Sequence, residues 1–244
     1  QVLIESLNTM LNRLENSFSH ISEFSSHVAH ELKTPLTIIR GELELALSSE
    51  YSAEENKEIM QTTLEEIDHL IKIVKDLLLL SRLDYKPDIY KFTRIDFNSF
   101  LDDLVEHNRV LASEKEISLD YRPLQEKRAV EGDHVHLRRL FFNVIHNAIK
   151  YTPRRGTITI TAYQRDTDIC TTVTDTGRGI PSEHLDKIMN KFYRVKEEEE
   201  ESEFGAGLGL SIAQSIAKAH RGTIEIESRE GVGTTVRIIL PVCS

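Results

Sequence analysis

The sequence predicts two units of different class. An α-helical hairpin, paired with a second copy as a four-helix bundle, precedes an α/β two-layer sandwich. Three observations carry this expectation. Two long stretches repeat apolar residues at spacings of three and four. The repeat stops at a proline-containing segment, "DYKPDIYKF", Asp84 to Phe92. Beyond it, short alternating stretches are interspersed with helical ones. The 244 residues, 39% hydrophobic and 29% charged, suffice for one large domain or two small ones.

In chain order, the first seam runs through Leu3, Leu7, Met10, Leu14, Ile21, Phe24, Val28, Leu32, Leu36, Ile39, Leu43 and Leu47, with Ser17 as a polar gap. Such a heptad repeat belongs to a coiled coil or a bundle helix. "SSEYSAEE", Ser48 to Glu55, is a polar turn in which Ser52 is an N-cap and Glu55 completes a capping box. A second seam follows at Ile59, Thr63, Ile67, Leu70, Val74, Leu77 and Ser81. One seam per helix leaves apolar surface that a second hairpin covers. Pro87 ends the pattern. Helices are then expected over Phe97 to Ala112, Asp133 to Tyr151, Ser182 to Asn190 and Leu208 to His220. Strands are expected at Ile117 to Tyr121 and in "GTITITAY", "DICTTVTD", "GTIEIES" and "GTTVRIILP".

A net charge of -10 without a Lys/Arg block argues against nucleic acid as a partner. Cys170 and Cys243 form no Cys-x-x-Cys pair, so neither a disulfide frame nor a zinc site is expected, and the compartment is read as reducing. No apolar run has the length of a membrane span and no signal peptide is present. The chain starts inside a helical pattern, which looks like a cut and leaves room for an upstream membrane segment.

Four constellations carry chemistry. In "HVAHELKTP", His30 stands one place off the apolar stripe and faces solvent. Glu31 can accept its Nδ1 proton, leaving Nε2 as a nucleophile, and Pro35 frees the Glu31 carbonyl, so a bend one turn after His30 is expected. A zincin pattern fails at Thr34, and His27 with His30 lacks further metal ligands nearby. In "NVIHNAIKYTP", Asn143 and Asn147 share one helix face close to Lys150 and Tyr151. Two amides and an ammonium there suit a Mg2+ ion and the phosphates it binds. In "DTGRGIP", Asp175 follows a strand and can accept from an exocyclic amine, while Gly177 and Gly179 let backbone approach a flat base. Gly205, Gly207 and Gly209 open a helix whose N-terminus favours anions, but match neither a Walker loop nor a Rossmann turn. Singly, each fits a plainer reading: a surface histidine, a polar helix side, a common turn.

In this order, with "KFYRV" between the last two, the four resemble the cytoplasmic core of a sensor histidine kinase of two-component signalling. "HELKTP" is similar to that family's H-box, "NVIHNAIKYTP" to its N-box, "DTGRGIP" to its G1-box, "KFYRV" to its F-box and "GAGLGLS" to its G2-box. The resemblance implies a dimerisation and phosphotransfer domain over residues 18–86, after a coiled-coil input helix over 1–17. It implies a linker at 87–95 and a Bergerat (GHKL) ATP-binding fold, shared with gyrase and heat-shock chaperone ATPases, over 96–244. It implies His30 as phosphoacceptor, Glu31 as general base, and Thr34 in removing phosphate from the partner regulator. Asn143 and Asn147 would hold Mg2+ with the triphosphate, and Lys150 and Arg194 would contact phosphates. Tyr151, Asp175, Gly177, Gly179, Ile180 and Leu208 would surround the nucleotide, with Gly205, Gly207 and Gly209 hinging the lid. The implied cofactors are ATP and Mg2+. The implied partners are a second copy and a response regulator, and the implied location is the cytoplasmic side of a bacterial inner membrane.

In the family's water-using ATPases a glutamate stands where Asn143 stands here. An amide cannot act as a general base for water, which together with the exposed His30 argues against one rival, a clamp-driving ATPase. The full set of boxes argues against the other, a non-catalytic scaffold, which the acidic lid keeps open. Two departures stand out. Met189 replaces a phenylalanine, and Glu197 to Glu201, with Glu203, fill a lid that is usually mixed in charge. The run reads as a solvated lid, or alternatively as a field that weakens ATP binding until Mg2+ or a basic surface offsets it.

Overall fold

A computed structural model describes residues 2–48, 51–85, 90–195 and 206–243. The chain divides mainly into the long-helical region up to Leu77 and the remainder from Leu78 onward.

The first region is a hairpin of two long helices, α1 (Val2–Ser48) and α2 (Ala53–Tyr85). α1 continues as one helix through Pro35, whose side chain is buried. The hydroxyls of Thr34 and Thr37 donate to the carbonyls of His30 and Lys33, at 3.3 and 2.8 Å. The expected capping box is present. The Glu55 amide donates to Ser52 Oγ at 3.3 Å, while Glu55 Oε2 accepts from the Ser52 amide at 2.8 Å and from its hydroxyl at 2.7 Å. These bonds hold the Glu55 carboxyl below its ordinary range.

The seam of α2 differs from the one read in sequence. Burial follows Thr63, Glu66, Leu70, Ile73, Leu77 and Leu80. A second stripe, Met60, Leu64, Ile67, Ile71, Val74 and Leu78, is exposed and also heptad-spaced. Ile67 and Val74, placed in one seam with Leu70 and Leu77 by spacing alone, belong to this outer stripe. On α1, Leu36, Leu43 and Leu47 are exposed as well. An α2 with two apolar stripes has a wide apolar face, and spacing alone merged them.

The second region is a two-layer sandwich. Its five-stranded sheet has the order β2 (Ser118–Arg122), β4 (Thr157–Arg165), β5 (Asp168–Asp175), β7 (Gly233–Pro241), β6 (Thr223–Arg229). β2 and β4 are parallel and the other pairs antiparallel. Helices α3 (Phe97–Glu114), α4 (His134–Tyr151) and α6 (Gly209–Ala219) form the second layer. Alternation decides which side chains meet them: Ile158, Ile160 and Ala162 on β4, Ile169, Thr171, Val173 and Asp175 on β5, and Val236, Ile238 and Leu240 on β7 are all buried. Phe97, Leu101, Leu104, Leu137, Leu140, Phe141 and Ile145 fill the helical side. Each such side chain contributes roughly 1.5–3 kcal/mol on burial.

Two elements depart from the sequence reading. β1 (Thr93–Asp96) and β3 (Ala129–Gly132) pair antiparallel as a small separate sheet, extended by a bridge from Val130 to Val242. Four-residue strands are too short to show an alternation. The helix expected over Ser182 to Asn190 is α-helical only as α5 (Ser182–Leu185), and hydrogen-bonded turns carry the chain on to Asn190.

Candidate functional site

α4 starts cleanly because the Asp133 side chain accepts from the amides of Val135 and His136. Leu137, Leu140, Phe141, Val144, Ile145, Ala148 and Ile149 turn inward at helical spacing. That periodicity leaves Asn143, Asn147 and Lys150 half-buried on the flank. α6 packs against α4, and the Asn143 side-chain NH2 donates to the Gly209 carbonyl at 3.0 Å. This bond fixes which way the amide points and leaves Oδ1 as an oriented hard donor. At the other end, Lys115 Nζ donates to the carbonyls of Ile149 and Lys150, capping the helix before Tyr151.

Asp175 is the last residue of β5, on the helix-facing side, where its register partner is Ile158. Its Oδ1 accepts from the amides of Gly177 at 2.8 Å and Thr234 at 3.2 Å. Oδ2 carries no hydrogen bond among the described residues. Burial pushes the carboxyl above its ordinary range, against the two amide bonds, which pull it down. Gly177 is required by space, since a Cβ there would lie 2.6 Å from the Tyr151 carbonyl oxygen. Gly179, at φ +71, would place a Cβ 2.1 Å from the Arg229 carbonyl oxygen. The Ile180 amide donates to Ser228 Oγ at 2.9 Å. The "DTGRGIP" loop is thus clamped between the end of α4 and the β6–β7 turn. The Arg178 guanidinium lies 4.7 Å and Lys150 Nζ 5.1 Å from the centroid of the Tyr151 ring.

Gly207 has φ +65 and accepts at its carbonyl from the Phe192 amide at 3.0 Å. A Cβ on it would meet Phe192 backbone at 2.7 Å. Leu208 is buried and precedes α6, whose start has no side-chain cap, so its first amides face outward uncommitted to a side chain. Gly209 has room for a Cβ, 3.8 Å from the nearest atom of Asn143, so its role there lies in its carbonyl. Arg194 is exposed and Met189 half-buried. Gly205, Glu197 to Glu201 and Glu203 lie outside the described residues.

Asn143, Asn147, Lys150, Tyr151, Asp175, Gly177, Gly179, Ile180, Gly207, Leu208 and Gly209 thus fall in one unit around the α4–α6 pair. His30, Glu31 and Thr34 lie on α1. The His30 ring is exposed, and among the described residues no hydrogen bond joins it to the half-buried Glu31. The sequence reading missed Ser228, Gly233 and Thr234. Gly233, at φ +140, would place a Cβ 2.0 Å from the Asp175 carbonyl oxygen. The Gly231-Val232-Gly233 turn was the available signal.

The chain thus carries an exposed histidine on its long hairpin and, in its second unit, a carboxylate at a strand end and two amides on one helix. Residues 20–86 match the His Kinase A (phospho-acceptor) domain, and residues 132–244 match the histidine kinase-, DNA gyrase B-, and HSP90-like ATPase family. The sensor protein IrlS of Burkholderia pseudomallei is 34% identical over 234 residues, 96% of this chain and 50% of IrlS. The crystal structure of histidine kinase ThkA in complex with the response regulator protein TrrA superposes with TM-score 0.76 at 26% identity, over 94% of this chain and 64% of that one. Full-length ShkA in complex with AMPPNP superposes with TM-score 0.68 at 25% identity, over 91% of this chain and 46% of that one. The chain belongs to the sensor histidine kinases of two-component signalling, and its second unit to their ATPase-type domain. It spans about half the length of relatives such as IrlS. Among the described residues, no helix is long and apolar enough to cross a membrane.

Proposed function

We propose that this chain phosphorylates His30 with ATP and passes the phosphoryl group to an aspartate of a response regulator. One observation carries the reading. The same chain holds an exposed histidine, whose ring makes no hydrogen bond among the described residues, and a nucleotide site whose helix α4 offers amides where a water-activating carboxylate would be needed for hydrolysis. Asp175 Oδ2 accepts the exocyclic amine of adenine while Oδ1 stays tied to Gly177 and Thr234. Tyr151, Ile180 and Leu208 flank the base. Lys150 and Arg194 neutralise phosphate charge, and the α6 start accepts it. Gly207 and Gly209 shape the phosphate side. Asn143 and Asn147 fit a hard cation through their amide oxygens, Asn143 being oriented by its bond to Gly209. Mg2+ held there would screen the β- and γ-phosphate charge.

His30 Nε2 attacks the γ-phosphorus. The N–P bond forms as the bond to the β–γ bridging oxygen breaks, and ADP leaves. The imidazole then gives its Nδ1 proton to Glu31. Thr34 serves the reverse task, positioning water for removal of phosphate from the regulator. ThkA, solved with its response regulator, supports such a partner for this chain. The exposed apolar stripe of α2 supports a homodimer through the hairpin. The greater length of the relatives supports a membrane sensor upstream, with this portion on the cytoplasmic side of a bacterial inner membrane.

The test is incubation with radiolabelled Mg·ATP. An acid-labile, alkali-stable phosphate on the chain, absent in His30→Gln, is expected. Steady ATP hydrolysis without that label would favour a clamp ATPase, and labelling that survives His30→Gln would remove His30 from its role.

A further inference from the structure

Three residues ahead of β1 are held by an aromatic and histidine cluster that the nucleotide site does not use. The Tyr90 ring lies 4.8 Å from the His136 ring and 5.5 Å from the His220 ring, and Phe92 lies 4.9 Å from His220. Between them the Lys91 amide donates to Asp133 Oδ2 at 2.8 Å. Asp133 Oδ1 accepts from the amides of Val135 and His136, both at 3.0 Å. One carboxylate therefore serves two masters: the start of the helix that carries Asn143 and Asn147, and the chain arriving from the hairpin.

His220 adds the third element. Its Nε2 accepts from the Asp133 amide at 2.9 Å, so Nδ1 carries the proton and donates to the Ile216 carbonyl at 2.8 Å. The residue closes the C-terminal end of α6, whose first residue holds Asn143. Its ring packs closely over Gly132 at the end of β3, where a Cβ would lie 2.8 Å from its Cδ2. The start of α4, the end of α6 and the incoming chain converge on Asp133 and His220. Tyr85, the last residue of α2, is separated from Tyr90 by four residues.

We propose that Asp133 and His220 are positioning residues for phosphoryl transfer to His30. They fix the direction in which the connecting chain joins the ATP-binding unit and tie that direction to both helices of the nucleotide site. The proposal rests on the kinase reading above. Transfer needs the reacting atoms within about 3–3.5 Å, and a misplacement of about 1 Å far from the chemistry can cost on the order of a hundredfold in rate. Releasing Tyr90 to Phe92 frees the backbone dihedrals of three residues at the junction, so fewer encounters are productive. Nucleotide affinity should stay unchanged, since the hydrogen bonds of the two side chains go to Lys91, Val135, His136, Ile216 and the Asp133 amide, with none to Asp175, Asn143 or Asn147 among the described residues.

Asp133→Asn separates the two tasks of the carboxylate. The amide oxygen still caps α4, but the NH2 group cannot accept from Lys91. In this variant the Lys91 amide should exchange with deuterium at least about tenfold faster. Autophosphorylation at saturating Mg·ATP should fall at least about fivefold, while the KM for ATP and the Kd of a fluorescent ATP analogue stay within about twofold. His220→Gln, whose carbonyl oxygen can accept from the Asp133 amide, should keep most of the rate, and His220→Leu should lose it as Asp133→Asn does. An unchanged rate with Lys91 released, unchanged Lys91 exchange, or a rate loss matched by a rise in KM would each overturn the proposal. A wild-type chain that binds ATP but never labels His30 would instead overturn the kinase reading, and the positioning role with it.

Discussion

At the residue scale, Asp175 is held ready by two backbone amides on one oxygen while burial raises its pKa. Protonation removes the acceptor, so ATP affinity should weaken as pH falls through a value above the ordinary 3.8. Calorimetric titration with Mg·ATP from about pH 7 down to about pH 4.5 checks this against the carboxylate reference range. Asp175→Asn should lose at least about tenfold in affinity, about 1.4 kcal/mol, and lose the acid step with it. The glycines of the neighbouring turn give a second comparison. Gly231 and Gly233 both have positive φ, at +72 and +140, but only Gly233 also lacks room for a Cβ. Gly231→Ala should therefore cost only backbone strain, on the order of 1–2 kcal/mol. Gly233→Ala should cost more and also weaken ATP binding by displacing Asp175, read by urea unfolding and by the same titration.

At the element scale, α2 carries a buried and an exposed apolar stripe, while α4 carries one buried face and a half-buried polar flank. An outer stripe from Met60 to Leu78 is costly to leave in water, and a second hairpin of the same chain offers the matching surface. Ile71→Glu, in the middle of that stripe, should shift the mass seen by light scattering from dimer to monomer. Glu54→Gln, in the exposed first turn, should leave it unchanged. Ser52→Ala removes one side of the capping box and should lower stability by about 1 kcal/mol, seen as a lower thermal midpoint. The box itself was legible in "SSEYSAEE" because capping is local chemistry. The split of the α2 seam was not, because spacing gives the period of an apolar face and leaves its partners unspecified.

At the scale of the whole molecule, two groups at the root of the ATP-binding unit shape its response to acid. Burial lowers the pKa of His220 from 6.5, so the unfolded chain takes up a proton before the folded one does. Stability should then fall as pH drops below that value, and His220→Gln should remove that step. Burial raises the Asp133 carboxyl, but hydrogen bonds from His136 and Lys91 outweigh it and hold it at about 2. Its contribution is full above the ordinary 3.8 and is lost as pH falls toward 2. Denaturant titrations across acid pH separate the two steps. The sequence by itself determined the hairpin and the strands of the five-stranded sheet, and it proposed residues for the candidate site. Heptad spacing, alternation, caps and glycine-rich turns are local signals, and five such boxes in order leave little freedom. Only the tertiary structure decided which α2 stripe is buried, and that the Gly231–Gly233 turn holds Asp175. It also decided that Asp133 and His220 gather α4, α6 and the incoming chain at one point. Those contacts join residues up to 87 positions apart, and a long-range hydrogen bond leaves no periodic trace in the sequence around either partner.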